Sequence, residues 1–203
     1  MQDTERKILE IAKEMILERG ILATEMKDIA AAMGCSRSTL YRHFPSKSDI
    51  LLTLAQEALA TIFQSFHLPD NARFINGYDA LSWQLNAFVE ALLTHVDEVT
   101  FLRDFDCVYT KAFPKTPSGE KYRDFIGSWK ENVLMDNFRR GVEDGSIRPA
   151  GDPGLLLLTM VHGCLALAQR VLPREQVFLD EYGYGQELLR NYQKMMLTAV
   201  AAQ

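Results

Sequence analysis

Only three residues, Gly34-Cys35-Ser36, separate two short segments that each read as helix, and a connection that short obliges the two helices to pack on one another. Thr24 is a good N-cap ahead of Ile29, Ala30 and Met33, which recur at helical spacing, and Gly34 is the residue type that ends a helix in the left-handed conformation. Ser36 caps the second segment, Arg37 to Phe44, which Pro45 stops. Ser46 and Asp49 then form an S-x-x-D box that starts a third helix. The arrangement is a helix-turn-helix followed by a further helix.

Charge indicates what such a unit meets. From Ile29 to Ser48 there is no acidic residue, whereas Arg37, Arg42 and Lys47 are present with His43 beside them. On a helix beginning at Arg37, Leu40 and Phe44 are four apart and face inward, which leaves Arg37, Ser38, Thr39, Tyr41, Arg42 and His43 for other faces. Short polar groups and bidentate donors suit base edges and phosphate oxygens in a major groove. A small helical hairpin with a solvated basic face would show the same pattern.

These residues resemble the N-terminal signature of the TetR (tetracycline-repressor-like) transcriptional regulators of bacteria. Thr24, Ile29-Ala30, Gly34, Cys35-Ser36, Tyr41, Phe44, Lys47 and Ile50-Leu51 carry the match. Thr24 stands one residue further from Ile29 than the pattern has it, Cys35 replaces a commoner valine and Ser38 a commoner glycine or alanine. The resemblance covers about the first quarter of the chain; beyond it, only length and helical layout are similar. It implies an all-α protein with an N-terminal three-helix helix-turn-helix domain, residues 1-46, and a C-terminal helical ligand-binding and dimerisation domain, residues 47-203. The expected DNA contacts are Thr24, Lys27, Ser36, Arg37, Ser38, Thr39, Tyr41, Arg42, His43 and Lys47. Within that set Arg37, Ser38, Thr39 and His43 are expected to face bases, and Tyr41 and Lys47 phosphates.

The chain has 203 residues, 47% of them hydrophobic, enough for a real core. Its net charge of −5 is not uniform: residues 1 to 50 hold eight Lys/Arg and eight Asp/Glu, so the whole deficit falls on the remainder. Cys35, Cys107 and Cys164 lie far apart without a C-x-x-C, and the charged start MQDTERKILE lacks the apolar core of a signal peptide, so a reduced, cytoplasmic protein is expected. The most apolar run, Gly154 to Ala168, is shorter than the roughly 20 residues of a membrane span. No membrane partner is expected.

Ile8, Ile11, Ala12, Met15 and Ile16 predict a helix from Thr4 to Glu18 that braces the motif. Leu51, Leu54, Ala58 and Ile62 mark one face of a helix from Ser46 to about Phe66, a rod whose tilt would change the separation of two recognition helices. His67 to Gly77 reads as loop. Helices are expected over Tyr78 to His95 and Glu98 to Ala112, then a long one from Pro117, capped by Thr116, to near Gly145. Asp152-Pro153 starts another, Gly154 to Leu172; a loop with Pro173 and Gly183 precedes the last, Gln186 to about Val200. No segment reads as a strand.

Leu155 to Leu172 is apolar nearly all round, and Leu188, Leu189, Tyr192, Met195, Met196, Ala199 and Val200 form a broad stripe on the last helix. One small domain rarely covers both, and two copies packed as a four-helix bundle would, through helices near 154-172 and 186-200. The resembling family dimerises in this way. A two-fold dimer would read a near-palindromic double-stranded DNA operator.

The middle helices are rich in aromatic residues, each of them more often core than ligand contact. The family resemblance implies an apolar effector cavity there, and the candidate contacts are Trp83, Phe88, Phe101, Phe105, Tyr109, Phe125, Trp129 and His162. Asn86, Gln84, His95 and Cys107 are further polar candidates. No G-x-S-x-G, H-E-x-x-H or glycine-rich phosphate loop is present, so no catalytic residue, metal or cofactor is expected. The reading is a DNA-binding transcriptional regulator, a repressor released by a small apolar or aromatic ligand. The alternatives are a ligand-independent DNA-organising or protein-regulated member, and a small-molecule-binding protein without a DNA role.

Overall fold

Helices form where the apolar periodicity places them, and the computed structural model, which describes residues 3–69, 72–128, 133–148 and 151–202, is all-helical apart from one isolated bridge, Ile147–Ala201, among these residues. The chain packs into two units: Met1–Leu59 with Thr100–Gly127, and Ala60–Val99 with Ser128–Gln203.

In the first unit, α1 (Asp3–Arg19) buries Ile8, Leu9, Ala12 and Ile16 along one face, and Gly20 ends it at a φ of +87°. α2 (Met26–Ala32) and α3 (Arg37–His43) flank the tight turn, where Gly34 takes the left-handed φ of +67° that the turn requires. α3 is capped as expected, the Ser36 hydroxyl accepting the Thr39 N–H at 3.1 Å. α4 (Lys47–Phe63) starts at its box, with Ser46 Oγ 2.7 Å from Asp49 Oδ2, and passes into a 3-10 turn over Gln64–Phe66.

Thr24 is not the cap of α2. Its hydroxyl donates backwards, to the Gly20 carbonyl at 3.0 Å with the Met15 carbonyl at 3.3 Å, and the residue is fully buried. Glu25 takes the cap position instead, its N–H donating to the Asp28 carboxylate at 3.3 Å.

The second unit is built on α5 (Gly77–Thr94), capped by Asn76, whose buried face includes Leu81, Leu85, Phe88 and Val89. α6 (Val96–Val108) follows after His95 alone and ends four residues before the expected Ala112; from Thr100 to Gly127 the chain belongs to the first unit. The expected long helix from Pro117 is described as α7 (Pro117–Ser128) and α8 (Val133–Glu143), the four residues between lying outside the described ones. α9 (Pro153–Val171) has Asp152 as its cap, accepting the Gly154 N–H at 2.8 Å. The expected loop around Pro173 is largely helix: a 3-10 turn over Leu172–Arg174 leads into α10 (Glu175–Tyr182), which Gly183 ends, and α11 (Glu187–Val200) follows. α10 escaped the sequence reading because it buries no residue, so its helix-forming side chains carry no apolar period. The helical stretch Pro153–Tyr182 is thereby 30 residues long and meets a membrane span's length and composition, contrary to the expectation of too short a run. α9 nevertheless has a protein partner on one side: Leu157, Met160, Cys164, Ala168 and Val171 are buried, and α9 contacts α5, α8 and α11.

Two features lock this unit. α5 crosses α8 so closely that a Cβ on Gly77 would lie 2.1 Å from the Gly141 nitrogen. The turn after α8 then ties down both ends: Asp144 accepts the Gly77 N–H at 2.7 Å, and Arg148 N–H donates to the Val200 carbonyl at 2.9 Å. Hydrogen bonds from Ser146 and from the Gly77 N–H hold the Asp144 carboxyl below its usual range. A depressed carboxylate stabilises the fold fully above its unfolded value and loses that contribution as pH falls through the folded value. The melting temperature of the wild type should therefore fall more steeply than that of Asp144→Asn below about pH 4. Parallel curves in a pH series of thermal melts would remove Asp144 from the anchor.

Candidate nucleic-acid interface

The Gly34-Cys35-Ser36 turn projects the N-terminal end of α3 outward. Leu40 and Phe44 anchor it in the core, and Ser36, Arg37, Ser38, Tyr41 and Arg42 are exposed as a consequence of that anchoring. Thr39 is half-buried. Ser36 Oγ lies 2.8 Å from Ser38 Oγ and 2.9 Å from Thr39 Oγ1, so three hydroxyls form one connected polar edge beside Arg37. Among the described residues neither Arg37 nor Arg42 has an ion-pair partner. Both guanidiniums are available to phosphates or base edges.

Other expected contacts are held differently. Lys27 is exposed on α2 but paired with Glu25 at 2.7 Å, and that hydrogen-bonded carboxylate holds its ammonium above the usual range. His43, at the far end of α3, is half-buried with its Nδ1 3.6 Å from Glu5 of α1, so it points back to the brace. Thr24 presents no hydroxyl to the surface. Lys47 donates to the Ile21 carbonyl in the link between α1 and α2, and burial pulls its ammonium below the usual range.

The expected effector contacts fall in both units. Phe101 and Phe105 are buried in the first, where Phe105 is the centre of a ring cluster: Tyr109 at 4.7 Å, Tyr122 at 5.5 Å, Phe113 at 5.9 Å and Phe101 at 6.1 Å between centroids. Phe125 is half-buried in the same unit. Burial pushes the Tyr122 phenol up, with the Asp106 charge adding to it. Phe113 and Tyr122 were missed because one sits in a loop directly before Pro114 and the other on a mostly polar helix. In the second unit Phe88 is fully buried 6.3 Å from Phe63, and Trp83 is partly exposed against Phe74 at 6.1 Å. His162 is on the exposed side of α9, away from the interior where the sequence reading had it. Gln84 is buried and accepts from Asn137 at 2.8 Å, while Asn86 accepts from Gln193 at 2.7 Å. His95 lies 3.8 Å from Glu98, and Cys107 is exposed. Trp129 lies outside the described residues.

Residues 8–54, which hold α1 to α3 and the first half of α4, match the family model of bacterial regulatory proteins of the tetR family. The transcriptional repressor KstR2 of Mycobacterium tuberculosis is 27% identical over 151 residues, 74% of this chain and 72% of its own length. The transcriptional regulator AcrR of Shigella flexneri is 37% identical over 49 residues, 24% of this chain and 23% of its own. A tetR-family regulatory protein from Rhodococcus RHA1 shares the fold over 100% of both chains, with a TM-score of 0.74 at 18% identity. A transcriptional regulator from Saccharomonospora viridis, solved in complex with choline, does so over 100% of both with a TM-score of 0.70 at 22% identity. With the motif, its exposed basic helix and an all-helical remainder in agreement, residues 8–54 are a regulatory domain of the tetR family, and the chain, similar over its length to TetR-family regulators, is a DNA-binding transcriptional regulator.

Proposed function

We propose that the protein is a cytoplasmic homodimeric repressor that holds a near-palindromic operator through α3 and is released by a small, mainly apolar ligand. The observation that carries the DNA reading is the exposed face Ser36-Arg37-Ser38-Tyr41-Arg42, with no acidic group on α3 and both arginines unpaired among the described residues. Regulators of this family bind operator DNA and small-molecule effectors and dimerise. Functionally we divide the chain into a reading head, residues 1-46, and a sensing and dimerising part, residues 47-203. Lys27, Ser36, Arg37, Ser38, Thr39, Tyr41 and Arg42 form the contact set; Thr24, His43 and Lys47 face inward and support it. We assign no catalytic residue.

The dimer is formed by the outer faces of α9 and α11, where Leu155 is 66%, Leu158 54% and Met195 61% exposed in the single chain. Exposed apolar side chains on two helices in contact favour a partner of the same composition. An apolar effector is supported by the aromatic interior and by a ketosteroid transcriptional regulator among the similar structures. Such a ligand weakens operator binding only as far as it prefers the DNA-incompetent arrangement, and a preference of about 1.4 kcal/mol gives a tenfold change. The experiment is a binding titration on an operator duplex selected by the protein from a random pool, repeated with a saturating apolar effector. Unchanged operator affinity in the presence of a bound effector would overturn ligand release.

Arg37 is the group best placed for bidentate pairing with guanine. Arg37→Ala should cost about 1 to 3 kcal/mol on the selected duplex and little on a scrambled one. Equal losses on both would make Arg37 a backbone contact.

A further inference from the structure

α9 turns two faces to its surroundings. Leu157, Met160, Cys164, Ala168 and Val171 form the buried stripe that packs on α5, α8 and α11. At about 100° per residue the direction opposite that stripe belongs to His162, with Leu155, Leu158 and Ala166 beside it, all of them exposed. His162 is also the central residue of α9 along its length. The neighbouring helix continues the same surface: Tyr192 of α11 lays its hydroxyl end over Gly163, and Leu188, Asn191, Met195 and Ala199 share that side of α11.

Among the described residues no fixed charge interrupts this surface. α9 contains no acidic residue, and its one fixed cation, Arg170, stands about two turns from His162 over the ring of Phe178. Arg174 and Glu175 follow beyond it, past the end of α9. On α11, Glu187, Arg190 and Lys194 lie off the outer stripe, and Arg190 is paired with Glu90 of α5. α5 and α8 meet α9 on its inner face, where Cys164 is buried. Tyr192 is thus the titratable group that faces His162 from a neighbouring helix, and a phenol, unlike an imidazole, keeps its charge between about pH 5 and 8.

We propose that His162 makes the pairing of two copies sensitive to pH: as a neutral imidazole it packs within the apolar contact, and as a cation it opens that contact. The inference rests on the dimer through α9 and α11 proposed above. In a two-fold contact each interface residue occurs twice, and a residue central to both the length and the outer face of α9 comes near its own copy. Protonation there desolvates a cation without a carboxylate to pair it, and sets two cations against each other. The separate chains therefore bind more protons than the pair, so pairing is strongest above the imidazole range and weakens as pH falls through it. Because one recognition helix lacks the avidity of two, acidification releases the operator without any effector.

The test measures the dimer dissociation constant of the full chain, free of DNA, by analytical ultracentrifugation at about pH 7.5 and about pH 5.5, with circular dichroism to confirm the fold at both. For two imidazoles with the reference pKa of about 6.5 that must be neutral to pair, the wild-type constant rises about a hundredfold over that interval. His162→Leu and His162→Gln lack the titratable group and should pair equally at both pH values. A wild-type constant that does not change, or one that rises equally in both variants, would overturn the inference and leave the dimer standing. Failure of both variants to pair at either pH would make His162 a required contact, which also overturns the switch. A wild type that is monomeric already at about pH 7.5 would overturn the dimer reading itself, and the inference with it.

Discussion

Leu158→Glu should yield a folded monomer that binds the operator at least about a hundredfold more weakly than the wild type. Leu158 is 54% exposed on α9, so a glutamate there meets water in the single chain and leaves its core untouched. In a two-fold dimer the same position occurs twice on facing helices, and two carboxylates would be desolvated against one another. Once the copies separate, each recognition helix binds without the high effective concentration supplied by its partner, and avidity of about 10² to 10⁴ is lost. Light scattering gives the mass and a binding titration the affinity. A dimer of unchanged stability would remove α9 from the interface. A monomer with full operator affinity would show that pairing of the two copies contributes nothing to recognition.

Gly77→Ala should destabilise the protein by about 3 kcal/mol or more. Its Cβ would lie 2.1 Å from the Gly141 nitrogen, 2.4 Å from the Gly141 Cα and 2.6 Å from the Asn137 carbonyl oxygen. All three are backbone atoms of α8, so relief requires one helix to move off the other. The Gly77 N–H would then leave Asp144, and the cap of α5 would weaken with the packing. Gly163→Ala is the control: the added Cβ would meet the hydroxyl end of Tyr192, at 2.0 Å, and a side chain can swing where a backbone cannot. Urea unfolding should show a much lower midpoint for Gly77→Ala than for Gly163→Ala. Similar midpoints would mean that α5 and α8 adjust freely at their crossing.

The recognition unit was legible because its signals are local. Ser36 as cap, Gly34 as left-handed terminator, Pro45 as stop and the Ser46–Asp49 box each act over a few residues, and each appears in the structure. Thr24 was misread for a related reason. A threonine before a helix is by default its cap, and only the packing of α1 against the link shows that its hydroxyl serves Gly20 and Met15 instead. His43 and Lys47 were expected at DNA from their polarity and place in the motif, and their partners within the chain were not legible in the sequence. Glu5 and the Ile21 carbonyl, which hold them, lie 38 and 26 residues away, beyond any spacing rule. The same limit hid the ring cluster, since Phe113 and Tyr122 join Phe105 through a chain reversal that no periodicity records.

The uneven commitment of the cations around α3 also bears on how the protein finds its target in a genome. Lys27 is paired with Glu25 and Lys47 with a carbonyl, so Arg37 and Arg42 are the uncommitted side-chain cations among the described residues of α2, α3 and the first turn of α4. Retention on random DNA grows with the number of counterions displaced, and a cation already held by a protein group displaces fewer. Each encounter with the wrong sequence should end quickly, with short sliding runs and frequent hops between segments. Promoter occupancy then depends chiefly on the lifetime of the correct complex, and a modest loss of that lifetime is enough to empty the site.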